Sequence, residues 1–196
     1  MGALLGLTNG LGSVNSAILT LGRRLGAVCV ALMVVAILMQ VFFRYVLGNA
    51  LSWPEEGSRF LMLWMTGLMA PTAFRRGGFV SIEMLVRFLP RGPSAFLSLV
   101  LLFVSLVVLV VGFQIGWSET TGLGGRFATD SLSYPTSFDL STWTKMPKSW
   151  MMASLVVGLG MLISVCVELI LRSLAQLFGR ADGLHEILES ATMGSE

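Results

Sequence analysis

Four stretches of this chain are too apolar and too long to fold in water alone. The plainest is residues 93–117, where Leu, Val and Phe run almost unbroken and only Ser98, Ser105 and Gln114 interrupt. About 20 apolar residues in a helix cross a hydrocarbon core of about 30 Å. Comparable runs occupy residues 25–47, 54–74 and 150–171. Of the 196 residues, 55% are hydrophobic and 12% are charged, so a soluble domain of this size could not bury the apolar surface. The expected fold class is an all-α integral membrane protein: four transmembrane helices plus amphipathic interfacial helices.

The segments between the runs complete this plan. Residues 1–24 do not read as a cleavable signal, because the basic pair Arg23-Arg24 follows the apolar residues instead of preceding them. Leu11, Val14, Ile18, Leu21 and Leu25 repeat at helical spacing, with Asn9, Ser13, Ser16 and Thr20 between them. That pattern suggests a short amphipathic helix lying on the membrane, with an unstructured N-terminus as the alternative. Residues 79–89 are too short and too charged to cross, and read as a second interfacial helix. Residues 118–147 form the long hydrophilic connection, with Tyr134 and Trp143 as interface anchors. Residues 173–196 form a tail.

Basic residues orient the chain. Arg23, Arg24, Arg75, Arg76, Arg87, Arg91, Arg172 and Arg180 fall on one side, against Arg126, Lys145 and Lys148 in the long loop. The positive-inside bias then places both termini in the cytoplasm and residues 118–147 outside. Cys29 and Cys166 lie within apolar runs and read as small buried hydrophobes. The single histidine, His185, lies in the tail, so histidine-based metal or acid–base chemistry within the spans is not expected.

The joint between the first two runs concentrates the polar residues. Arg44 falls roughly 28 Å along the helix from Leu25, at the far edge of the core. Ser52 with Glu55 three residues later fits a capping box, and Pro54 fits a first helical turn. Glu55 and Glu56 would sit at the positive end of the next helix. Glu55–Arg59 and Glu56–Arg59 have i,i+4 and i,i+3 spacing in the favourable acid-first order. Charges next to lipid must pair or act, so Arg44, Glu55, Glu56 and Arg59 are expected to form a charge-balanced cluster that locks the first two spans together.

The remaining polar residues restrict the function. Pro71 is expected to kink the second span near its end. Ser154 and Gly158 are spaced for close helix approach, and Trp64 for packing or lipid contact. Glu168 precedes Arg172 by one turn and reads as an intrahelical pair at the membrane edge, with a proton or ion site as the alternative. The middles of the first, third and fourth spans are apolar, unlike a transporter that carries its own substrate. The spans offer no converging acids, bases or metal ligands, so neither an enzyme nor a cofactor or metal site is expected. The chain reads as an accessory without an ion path.

Arg44-Tyr45, Asn49, Ser52-Trp53, Glu55-Glu56, Arg59, Trp64 and Arg75-Arg76-Gly77 together resemble the small membrane subunit of tripartite ATP-independent periplasmic (TRAP) transporters. Pro147 and Gly158 follow that family's later pattern more weakly. Members often carry a histidine soon after the double arginine, where this chain has Phe79-Val80-Ser81. The resemblance implies a bacterial inner-membrane, multi-pass protein that braces the scaffold of a large multi-span, elevator-type permease subunit. Sodium coupling would belong to that partner. It also implies a docking face for a periplasmic substrate-binding protein, and import of an organic acid or similar solute. Arg44, Asn49, Trp53, Glu55, Glu56 and Arg59 would form the partner-facing cluster. Membrane lipids are further expected contacts, and nucleic acid is not. The competing readings are a self-sufficient homo-oligomeric exporter using Glu168 and a membrane assembly protein unrelated to transport.

Overall fold

The computed structural model describes residues 2–76, 91–136 and 143–177. The expected interfacial helix at 79–89, the Phe79-Val80-Ser81 segment and most of the tail lie outside them. The described residues form five helices and one β-hairpin, in order α1 (Gly2–Tyr45), α2 (Trp53–Arg75), α3 (Arg91–Thr121), the short α4 (Leu123–Arg126), β1 (Ala128–Pro135), β2 (Trp143–Pro147) and α5 (Ser149–Leu177). α1 packs on α2, α2 on α5, and α3 on the other side of α5.

Among the described residues, three helices are long and apolar enough to cross a membrane: Thr8–Tyr45 within α1, Phe96–Thr121 within α3 and Ser149–Ala175 within α5. Within these described residues α2 does not qualify, since Glu55, Glu56, Arg59 and Arg75 charge its ends and Gly, Ser, Thr and Pro dilute its middle. It continues through Pro71, which is buried.

α1 departs from the expected division at residue 24, because its helix is unbroken from Gly2. One line of buried and half-buried positions runs along it through Thr8, Gly12, Asn15, Leu19, Gly22, Gly26, Cys29, Met33, Ala36, Gln40 and Phe43, with Asn9, Leu11, Thr20 and Arg23 half-buried beside it. The steps alternate four and three residues, the seam of a coiled-coil-like contact. Of the expected apolar stripe Leu11, Val14, Ile18, Leu21 and Leu25, Leu11 is half-buried and the other four are exposed. The first half of α1 thus packs into the bundle through Thr8, Gly12, Asn15 and Leu19, while most of the apolar stripe faces out.

After Tyr45 the chain turns with Val46 N–H on the Phe42 carbonyl (2.9 Å) and Asn49 N–H on the Phe43 carbonyl (3.1 Å). Gly48 takes φ +64°, the left-handed conformation glycine adopts without steric penalty.

The connection at 122–148 corrects the all-α expectation. It holds α4 and an antiparallel hairpin whose register pairs Ser133 with Lys145 and Pro135 with Trp143. The register shifts between Ala128 and Ser133, so the backbone there leaves the ladder. Tyr134 stacks on Trp150 in the first turn of α5 (6.2 Å, 16°), and Lys148 N–H bonds the Phe127 carbonyl at 2.8 Å.

Candidate functional site

At the joint, the four expected charges separate. Glu55 and Arg59 form the i,i+4 pair at 2.6 Å, with both side chains mostly in the open (63% and 71% exposed). Such a pair contributes at most about 1 kcal/mol. Glu56 takes no part in it. Its carboxylate accepts from the backbone N–H groups of Asp130 (3.1 Å), Ser131 (2.7 Å) and Leu132 (3.1 Å), and from the Ser131 hydroxyl (2.6 Å). These N–H groups lie where the hairpin register breaks, so Glu56 satisfies donors the ladder has released. Four converging donors leave this carboxylate little need of an arginine. Arg44 instead places its guanidinium 5.8 Å from the centre of the Tyr45 ring.

The capping box also fails to form. Ser52 has helical φ and ψ (−85°, −30°) and makes no side-chain cap bond, while Pro54 occupies the first turn as expected. Asn49 and Trp53 are exposed on either side of this start. The structure therefore replaces the single locking cluster with two contacts: an exposed pair on α2, and a carboxylate clasped by the hairpin.

The strongest polar constellation sits at the opposite end, around Glu168 on α5, which is wholly buried. Its pair with Arg172 is present at 3.0 Å. Two other helices join it. Arg75, at the end of α2, donates to the same carboxylate oxygen at 2.6 Å and to the Gly12 carbonyl of α1 at 3.0 Å. Asn15 of α1 donates to the other oxygen at 2.8 Å, and its own carbonyl accepts from the Ser164 hydroxyl at 2.7 Å. Gly12 completes the fit: a Cβ there would lie 3.0 Å from an Arg172 nitrogen and 3.1 Å from Glu168. One buried carboxylate thus ties α1, α2 and α5 together.

The sequence reading found Glu168 and Arg172 but missed Asn15, Gly12 and Arg75. The signal that could have found Gly12 and Asn15 was the four-then-three spacing of Thr8, Gly12, Asn15 and Leu19, beside the more hydrophobic stripe.

Between these two ends the helices meet backbone to backbone. Gly158 faces Gly67 so closely that a Cβ on Gly158 would fall 2.8 Å from the Gly67 Cα. Ser154, one turn earlier, is buried and bonds the Met151 carbonyl at 2.6 Å. The expected small-residue contact therefore finds its partner on α2. Trp64 lies half-buried with its ring 6.2 Å from Phe60. Among the described residues, no group of His, Cys, Asp and Glu could hold a metal ion.

Apolar helices whose outward faces are Leu, Val and Phe, joined inside by glycines and one ion-paired knot, define a helical membrane protein with a closed polar interior. The chain matches the family model of the tripartite ATP-independent periplasmic transporters, DctQ component, over residues 33–176, and it belongs to that family. It is 30% identical over 89 residues to a Haemophilus influenzae protein provisionally named as a TRAP transporter small permease protein. That match covers 45% of this chain and 55% of the relative, so the chain spans about half the length of the relative it matches. No solved structure matches it.

Proposed function

We propose that this chain is the small permease subunit of a TRAP transporter in the bacterial inner membrane. It braces the fixed scaffold of a large sodium-coupled, elevator-type subunit and helps form the face on which a periplasmic substrate-binding protein docks. The imported solute is an organic acid or a similar small molecule. The chain supplies no catalytic group and holds no cofactor; sodium is bound by the large subunit. α2 is the fourth span, lying between α1 and α5 where its small and polar residues meet helix instead of lipid. Both termini are cytoplasmic, with the Glu168 knot on the arginine-rich side and the hairpin outside.

The observation that supports this reading is how Glu168 is used. A carrier needs an ionisable group that can exchange its partners as substrate or ion passes. Glu168 is held by two arginines and an asparagine from three helices, which suits a static strut. The self-sufficient exporter would have to break that knot in every cycle.

Purification of the tagged chain from its own membranes tests the proposal. A large hydrophobic permease should accompany it, and solute uptake into liposomes should require that permease and the binding protein. Uptake driven by this chain alone would overturn the proposal, and so would purification without any permease.

A further inference from the structure

We infer that α4 and the β-hairpin form an anchor seated in the headgroup layer of the outer leaflet, with Leu123, Phe127 and Trp143 against lipid. Within the connection that reads as the hydrophilic loop, these three large apolar side chains are 78%, 64% and 58% exposed. In water, large apolar side chains left this open are a liability, and a Gly-, Ser- and Thr-rich loop has no general need of them.

The chain itself fixes where this element can lie. α4 follows α3 after a single residue, and one residue separates β2 from α5, so both ends of the unit are tied to the same ends of two apolar helices. Its apolar side chains continue a level already marked by Trp117 in the last turns of α3 and Trp150 in the first turn of α5, both more than half exposed. Tyr134 stacks on that Trp150, and the Lys148 N–H bonds the Phe127 carbonyl, which hold the hairpin down beside the helix start. Glu56 grips its other side from the first turn of α2. Arg126 and Lys145 are exposed among the aromatic residues. Aromatic rings with long basic side chains at their flanks are the pairing that suits the headgroup layer, where rings meet acyl carbons and ammonium or guanidinium groups meet phosphate. The occupant of the surface is thus phospholipid, and the aqueous side is left to polar residues such as Asp130, exposed on β1 where the ladder breaks.

The inference rests on α3 and α5 crossing the bilayer and not on the identity of any partner. Its test uses the full chain alone in liposomes, with single nitroxide labels at Leu123→Cys, Phe127→Cys and Trp143→Cys, and with Cys29 and Cys166 replaced by alanine. Oxygen, which partitions into lipid, should relax these three labels severalfold more relative to a water-soluble nickel chelate than it relaxes a label at Asp130→Cys. A Val108→Cys label within α3 must read as lipid-buried. If Val108 reads as buried but the three sites match Asp130, the anchor is refuted and the spans stand. If Val108 also reads as aqueous, the span reading and the anchor fall together. Protection that appears only after the large subunit or binding protein is added also refutes the anchor. A second measurement needs no cysteine replacement: lipids brominated near the headgroup should quench the native chain's tryptophan emission, and Trp143→Phe should remove part of the quenched signal. Unchanged quenching in that variant counts against the inference.

Discussion

At the scale of single residues, the two glutamates that matter differ in what holds them. Glu168 is buried between two guanidinium groups, so its removal leaves both arginines partly uncompensated in a low-dielectric interior. Glu168→Ala should destabilise the fold by about 3–5 kcal/mol. Glu55→Ala, which breaks an exposed pair, should cost about 1 kcal/mol or less. Reversible unfolding of both variants in the same mixed micelles checks the contrast, and equal losses would contradict the buried-knot account. Glu56→Ala deserts three backbone N–H groups and a hydroxyl in the hairpin. Hydrogen bonds to a charged acceptor contribute about 1.5–3 kcal/mol each, so the hairpin should loosen while the helices stay. Limited proteolysis should then cut faster within residues 122–148 with helical circular dichroism unchanged.

At the scale of elements, what the residues disclosed depended on whether their partners were local. The start of α2 was legible because Pro54, Glu55 and Arg59 act through their own helix, and the Glu55–Arg59 pair forms as its spacing indicates. The Ser154–Gly158 spacing announced a close crossing, although only the fold shows Gly67 opposite it. The hairpin was not legible, since β1 reads Ala-Thr-Asp-Ser-Leu-Ser-Tyr-Pro without clean alternation and relies on Glu56 from a distant helix. For the same reason the joint looked like a closed charge cluster: nothing near Glu56 in sequence signals that the backbone at 130–132 will reach it. The crossing itself can be tested with Gly158→Leu, whose side chain must displace Gly67 or separate α2 from α5. A loss of about 1–3 kcal/mol or more is expected, against a smaller loss for Gly160→Leu, where the nearest neighbour is the movable Phe113 ring at 3.7 Å. The same micelle unfolding experiment compares the two.

At the scale of the whole molecule, the knot and the seam of α1 explain each other. In water an apolar stripe seeks the core, and that rule sends Val14, Ile18, Leu21 and Leu25 inward. Lipid removes the incentive, because acyl chains accept such side chains as readily as a protein interior does. Helices then gain more by close approach at small residues and by pairing polar groups away from hydrocarbon, which is what Gly12, Asn15, Gly22 and Gly26 do along α1. The helix spans roughly 66 Å, about twice the thickness of a hydrocarbon core, so it must tilt strongly or project beyond the bilayer. Its first half is tied to α2 and α5 through Gly12 and Asn15. Deleting residues 2–22 should remove Asn15 and the Gly12 carbonyl from the knot and leave Arg75 without its contact on α1. The truncated chain should lose stability on the scale of Glu168→Ala, and adding that substitution to the truncated chain should cost less than it does in the full chain. An amphipathic segment merely lying on the membrane would give additive losses, so the double comparison by unfolding in micelles separates the two arrangements.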